Sequence, residues 1–337
     1  MSINFDEIID RRGTSCLKYD FAVERGYPKD VLPFWVADMD FRAPVPVIDA
    51  LAARTAHGIF GYTQIKDDYF NVLRDWFRTH HAWTVQRNEL VITPGVVFAI
   101  ATAIRAYTAP GEAVIIQQPV YYPFASMIRQ NGRTLIDSPL RFADGRYSID
   151  FADFEQKIID HKVKLFVLCS PHNPVGRVWT RAELEQLAAI CLRHHVIVVA
   201  DEIHEEFVRP GFRHIPFASL SADAAAITVT CTSPSKTFNL AGLQISNIFI
   251  SNESLRRRFK EELSRTGYDE PNTLGLAGAK AAYEHGAPWL KELLAYIEEN
   301  YAFTKEYLAA HLPKVKLIEP EGTYLIWMDF SAYGLSD

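Results

Sequence analysis

The chain has 337 residues, with 35 Lys and Arg against 41 Asp and Glu, a net charge of −6. At roughly 150 residues per domain this length predicts about two domains, and 48% hydrophobic with 23% charged residues is an ordinary globular mix, not a disordered chain. The mildly acidic balance offers no basic excess to phosphate backbones, which argues against nucleic acid as a partner, and no apolar run nears the roughly 18 residues that span a bilayer. In chain order, residues 1–45 are rich in Pro and aromatics and show little periodicity. A helix is predicted after Thr93-Pro94-Gly95, running to about Tyr107. Apolar runs at residues 113–116, 165–169, 196–200, 226–231 and 245–250 read as strands, and their continuous hydrophobicity predicts burial on both faces. Between the second and third lies a predicted helix over residues 181–195. Thr180 and Glu183 form a capping box at its start, each satisfying a free backbone N–H. Helices also fit residues 254–265 and 288–312, and a strand-like stretch at 322–328 follows.

Strand–helix–strand alternation of this kind predicts an α/β fold with a mostly parallel sheet. The long last helix reads as entry into a second, smaller domain. The four cysteines, Cys16, Cys169, Cys191 and Cys231, include no Cys-x-x-Cys pair, which excludes a zinc ribbon or thioredoxin-type motif. Cys169 and Cys231 sit in apolar runs and read as core. Residues 1–7 lack a basic region followed by an apolar stretch, so a reducing cytoplasm is the expected compartment.

Three strand ends carry chemistry. Ser233-Pro234-Ser235-Lys236-Thr237 follows the strand ending at Cys231, and α/β proteins place ligands beyond the C-terminal ends of their strands. Lys236 is a carbonyl-reactive amine there, beside two hydroxyl residues suited to an anion. Asp201 follows residues 196–200, and a carboxylate leaving a buried strand needs a partner. Asn173 comes shortly after the 165–169 strand. The gaps, 28 residues from Asn173 to Asp201 and 35 from Asp201 to Lys236, are each one strand-plus-crossover repeat.

On these residues the sequence resembles the fold-type I pyridoxal-phosphate enzymes of the class I/II aminotransferase superfamily. More narrowly it is similar to the MalY/PatB carbon–sulfur lyases, the cystathionine β-lyase group. The narrower likeness rests on Phe34-Trp35-Val36-Ala37-Asp38-Met39-Asp40-Phe41, on Phe60-Gly61-Tyr62 and on Lys236-Thr237-Phe238-Asn239-Leu240-Ala241-Gly242-Leu243. The resemblance implies a large domain with a mostly parallel seven-stranded sheet over residues 46–285, a small α/β domain over 286–337, and an arm over 1–45 that contributes to the small domain. It implies pyridoxal 5'-phosphate as cofactor, with Lys236 forming the Schiff base and Asp201 pairing with the pyridinium nitrogen. Asn173 would donate to the ring's phenolic oxygen and Tyr121 would stack on its face. Gly95, Val96 and Val97 would meet the phosphate at a helix N-terminus, with Ser233 and Ser235 adding hydroxyl donors. Tyr62 would reach the neighbouring subunit's site, which implies a homodimer. Trp35, Tyr62 and Asn173 are the expected substrate contacts, with Tyr122 a further aromatic for the pocket wall.

Two positions depart from the commoner pattern. Gln244 stands where a phosphate-binding arginine is usual, and His204 where a tyrosine often touches the phenolic oxygen. A neutral His204 can donate to the same oxygen. The run from Asp201 to Glu206 has metal-ligand types, but zinc helices need His at i and i+4 and only one is present, so no metal site is expected. Glu205 and Glu206 read as a solvated strand end or helix start, His80 and His81 as surface, and His194 and His195 as a helix C-terminal cap.

The implied reaction is β-elimination from cystathionine or a related S-substituted cysteine, giving a thiol, pyruvate and ammonia. A transaminase with the same lysine is the alternative, and a cofactor-holding regulatory protein is a third. Family chains continue beyond residue 337 with more small domain, including an arginine for the substrate carboxylate. The chain is accordingly expected to be a fragment or a truncated product.

Overall fold

A computed structural model describes residues 3–334. Helices α1 (Val45–His57) and α2 (Asp67–His81) precede β1 (Leu90–Thr93), α3 (Val96–Tyr107), β2 (Ala113–Ile116), α4 (Pro123–Gln130) and β3 (Thr134–Asp137). A small hairpin, β4 (Arg141–Ala143) and β5 (Arg146–Ser148), leads to α5 (Phe151–His161), β6 (Leu165–Cys169), α6 (Arg181–Arg193) and β7 (Ile197–Asp201). Then come α7 (Ala222–Ala226), β8 (Thr228–Thr232), the single turn α8 (Pro234–Thr237) and β9 (Ser246–Phe249). The chain closes with α9 (Glu253–Arg265), α10 (Thr273–His285), α11 (Ala287–His311), β10 (Lys316–Leu317) and β11 (Met328–Asp329).

Seven strands form one sheet in the order β1-β9-β8-β7-β6-β2-β3. Strand β9 runs antiparallel to both of its neighbours, and the other described pairings in this sheet are parallel. The mostly parallel seven-stranded sheet is therefore present. Its central strands are buried on both faces. Val167 and Val199 face one core with α3, α4 and α9; Phe166, Leu168, Val198 and Ala200 face the other with α5 and α6. Alternate residues thus serve opposite helical layers, which is why these strands read as unbroken apolar runs. Each fully buried Val, Leu or Phe contributes roughly 1.5–3 kcal/mol. A third cluster packs α2, α10 and α11 against Ile92 and Phe249 at the β1–β9 edge.

The capping box at α6 is present, with Thr180 Oγ1 accepting from the Glu183 N–H and the Glu183 carboxylate accepting from the Thr180 N–H. Three expectations need correction. The strand over 322–328 is not formed: Gly322 makes an isolated bridge to Val208, and only Met328–Asp329 pairs, with Lys316–Leu317. A Cβ at Gly322 would stand 2.6 Å from Val178 Cγ2 and 2.7 Å from the Phe207 carbonyl. The segment is wedged between two loops, and a sheet has no room there. Nor is His81 on the surface; it is buried, with Nε2 3.0 Å from Glu206 Oε1. Glu205 and Glu206 are likewise buried, because the chain turns inward after β7. His194 does sit at the C-cap of α6, 2.8 Å from Glu155.

Candidate active site

The parallel strands β6, β7 and β8 end side by side, and the predicted amide, carboxylate and amine leave from those ends in that order. Asp201 is the last residue of β7, and its Oδ1 accepts from the Ile203 N–H at 3.2 Å. It is 4% exposed, and among the described residues it joins no ion pair. Burial accordingly pushes its carboxyl up to about 7, with Lys236 opposing the rise. Such a carboxylate awaits a cation.

Lys236 lies on α8, whose single turn is set by Ser233 and Pro234. Ser233 Oγ accepts from the Ser235 N–H as N-cap, and Pro234 takes the first-turn position where a missing N–H costs nothing. Lys236 Nζ donates to the Ala37 carbonyl at 2.8 Å. Burial holds its amine below the usual lysine range, although Asp38 and Asp201 pull the other way. The Tyr324 hydroxyl donates to the same Ala37 carbonyl at 2.7 Å. Ala37 and Tyr324 are site residues that sequence reasoning missed. Ala37 acts through its backbone, which no side chain advertises, and Tyr324 lies 88 positions beyond Lys236 in chain order.

His204 is buried, and its Nε2 lies 3.5 Å from Asn173 Nδ2. Desolvation, with Lys236 adding to it, pushes the imidazole down to about 3, so it is neutral. Its Nδ1 is buried without a partner. Tyr121 is half-buried, its phenol raised to about 12 by burial and by nearby Asp201. The N-terminus of α3 has no side-chain cap, and a Cβ at Gly95 would meet no atom within 4 Å. The first-turn N–H groups of α3, at Val96 and Val97, thus meet no capping side chain.

Ser233 departs from the expected role. Its hydroxyl donates to the Ile245 carbonyl at 2.8 Å while its oxygen caps α8, so its proton is already committed. Ser235 keeps its side chain unengaged by any hydrogen bond among the described residues. Tyr62 is 95% exposed and lines a surface groove with Pro94, Gln244 and Tyr268. Trp35 stacks on Tyr27, with ring centroids 4.8 Å apart, and its indole N–H is buried without an acceptor. Tyr122 is largely exposed.

The loop carrying Asn173 and the loop carrying His204 are clamped by the segment leading to Tyr324. Glu321 accepts from Arg177 Nε at 2.8 Å and from the Val178 N–H at 2.9 Å, and it also pairs with Arg146. Arg177 is 2% exposed and reaches Glu183 as well. The Arg209 N–H donates to the Glu321 carbonyl and the Thr323 N–H to the Phe207 carbonyl.

Comparison with known proteins agrees with this arrangement. The family model for aminotransferase class I and II matches residues 29–336. The chain is 48% identical over 335 residues to cystathionine beta-lyase PatB of Bacillus subtilis, covering 99% of this chain and 87% of that one. A PLP-bound putative aminotransferase from Clostridium difficile 630 superposes with a TM-score of 0.97 at 43% identity, covering 100% of this chain and 87% of its own. A PLP-bound C–S lyase from Staphylococcus hominis superposes with a TM-score of 0.93 at 35% identity, covering 99% and 84%.

Proposed function

The chain belongs to the class I and II aminotransferase family, and on that footing we propose that it is a pyridoxal-5'-phosphate-dependent carbon–sulfur lyase. It cleaves cystathionine or related S-substituted cysteines by β-elimination to a thiol, pyruvate and ammonia. The observation that carries the reading is the meeting of Asn173, Asp201 and Lys236 at three adjacent strand ends, in a chain 48% identical to a cystathionine β-lyase.

The residues fit the cofactor on three structural counts. Among the described residues Asp201 is a buried carboxylate in no ion pair, His204 has a buried nitrogen without a partner, and α3 has an uncapped N-terminus. Asp201 would hold the ring nitrogen protonated, Asn173 and neutral His204 would donate to the phenolic oxygen, and Tyr121 would cover the ring. Gly95, Val96, Val97 and Ser235 would hold the phosphate. Bound there, pyridoxal phosphate supplies an electron sink for the pair left when Cα loses its proton.

The chain's own residues do the rest. Lys236, with its amine kept below the usual range by burial, takes the Cα proton as general base. In the structure its Nζ donates to the Ala37 carbonyl, whose other hydrogen bond comes from Tyr324. The buried walls around Lys236 and His204 limit water during the step. The thiolate leaves Cβ with its bonding pair, and hydrolysis of the remaining enamine-level product gives pyruvate and ammonia.

The assay is pyruvate release from cystathionine with no 2-oxo acid present. Strict dependence on an added 2-oxo acid would establish the transaminase instead. A cofactor-holding regulatory protein with residual activity would release pyruvate from these substrates only at a trace rate.

The working unit is a homodimer. Phe34 is 93% exposed and Tyr62 95%, Ile59 and Phe60 beside Tyr62 are exposed, and so is Ile8. Such apolar side chains call for cover, which a second copy provides, with Tyr62 reaching the neighbouring site. A monomer mass by light scattering would remove this reading. The reading also divides the chain into an arm (1–45), a large domain (46–285) and a small domain (286–337), which puts the last boundary between α10 and α11. No described helix is long and apolar enough to cross a membrane. All four cysteines are free thiols, which suits a reducing cytoplasm.

A further inference from the structure

The loop after β7 has two faces. Asp201 and His204 belong to the active site. Glu202, Glu205 and Glu206 turn the other way, into a buried cluster with His81 from the end of α2 and His214 from the loop before Phe217. His81 Nε2 lies 3.0 Å from Glu206 Oε1 and 3.8 Å from Glu205 Oε2. His214 Nε2 lies 3.1 Å from Glu202 Oε2. The two imidazoles stand 5.6 Å apart between ring centroids and nearly perpendicular.

Two overlapping triads result, His81–Glu205–Glu206 and Glu202–Glu205–His214, and in each the ligand atoms lie within 4.8 Å of one another. Glu205 is common to both. It is 2% exposed, and among the described residues its Oε2 has no hydrogen-bond partner. None of the three carboxylates pairs with a Lys or Arg among the described residues; their ion-pair partners are the two histidines. Three buried carboxylates without a basic side chain are costly unless a proton or a metal cation sits among them. His214 Nδ1 is also buried with no hydrogen-bond partner among the described residues.

We propose that Glu205, with His81 and Glu206 on one side and Glu202 and His214 on the other, holds a divalent transition-metal ion. Mixed imidazole and carboxylate ligands suit zinc and its neighbours rather than calcium or magnesium, which prefer oxygen alone. For metal–ligand bonds of about 2.1 Å, tetrahedral neighbours stand roughly 3.4 Å apart. The 3.0 and 3.8 Å separations around His81 bracket that spacing. The outer contacts are also in place: Trp76 Nε1 donates to Glu206 Oε1 at 2.5 Å and the Phe217 N–H donates to Glu202 Oε1 at 2.8 Å, orienting both carboxylates. All five side chains are buried, so the ion is structural. It ties α2 to the two loops and steadies the turn that presents His204 to the active site. The single histidine within residues 201–206 hid this, because the other two come from 121 positions before Glu202 and 12 after it.

The test uses the cofactor-loaded full chain, produced in zinc-supplemented medium, dialysed and assayed for metal by mass spectrometry. About one zinc per chain is expected, with a melting temperature that falls on chelation and recovers when zinc is restored. Cobalt substitution should give the visible bands of a low-coordinate site. Glu205→Gln and, separately, His81→Gln should lose those bands and most of the metal while retaining the helical circular-dichroism signal. A wild-type chain that retains no metal and gives no cobalt bands would overturn the proposal, as would equal metal in the wild type and in Glu205→Gln. Neither readout depends on turnover, so a failed lyase assay leaves the result legible.

Discussion

Replacing Asp201 by Asn separates what the carboxylate does for the fold from what it does for the cofactor. Without the cofactor, burial raises this carboxyl from 3.8 to about 7. A group whose folded pKa lies above its unfolded value favours the protonated chain, so the ionised side chain weakens the fold as pH rises from about 4 through 7. At about 1.4 kcal/mol per pH unit the full penalty is about 4 kcal/mol, reached near pH 8. At pH 5 it falls to below about 2 kcal/mol, and at pH 4 it nearly vanishes. Asn has no charge to bury. The cofactor-free Asp201→Asn chain should therefore be more stable than the cofactor-free wild type at pH 8, and the gain should shrink steadily toward pH 4. With pyridoxal phosphate bound the order should reverse, since Asn cannot hold the ring nitrogen protonated. Urea unfolding of both chains at several pH values, with and without cofactor, gives the comparison. A pH-independent difference in the cofactor-free pair would refute the burial argument, and an unchanged cofactor affinity would refute the role assigned to Asp201.

Two further substitutions probe the clamp around the site. Glu321→Ala removes the partner of a buried guanidinium, but Arg177 keeps Glu183, so the loss should sit at the low end of the usual range, about 3 kcal/mol by urea unfolding; a loss below about 1 kcal/mol would show that the clamp bears no strain. Gly322→Ala places a methyl 2.7 Å from the Phe207 carbonyl, which cannot swing away as a side chain can. It should cost about 2 kcal/mol or more and, by displacing Tyr324 from Ala37, lower kcat more than it raises KM; an unchanged kcat would detach Tyr324 from the catalytic step.

What was legible in the sequence was what short-range chemistry writes there. The capping box at Thr180 and Glu183 marks the start of α6 because both partners lie within one turn. Strands β2 and β6 are readable because residues buried on both faces leave no polar interruption. The same rule placed the start of β8 too early: Ala226 is apolar but ends α7, and the strand begins at Thr228. The antiparallel direction of β9 has no local signature, since Ser246–Phe249 reads the same either way along the sheet. Residues 322–328 looked like a strand from their apolar content, yet the Gly322 N–H donates to the Gly176 carbonyl and the Thr323 N–H to the Phe207 carbonyl.

The site divides along the same line. Asn173, Asp201 and Lys236 were readable because a parallel sheet delivers successive strand ends to one edge, so order along the chain becomes adjacency in space. Partners that come from outside that repeat were not. Ala37 reaches Lys236 across 199 positions and Glu206 meets His81 across 125. Both failures concern residues whose sequence neighbours give no reason to bury them. His81 ends an amphipathic helix and Glu205 sits in the loop that carries His204, and only the packing of α2 against that loop makes them one buried cluster. The polar residues misjudged as solvated are therefore the ones that join α2 to the loop carrying His204, so the stability of the active site rests partly on contacts that no local pattern announces.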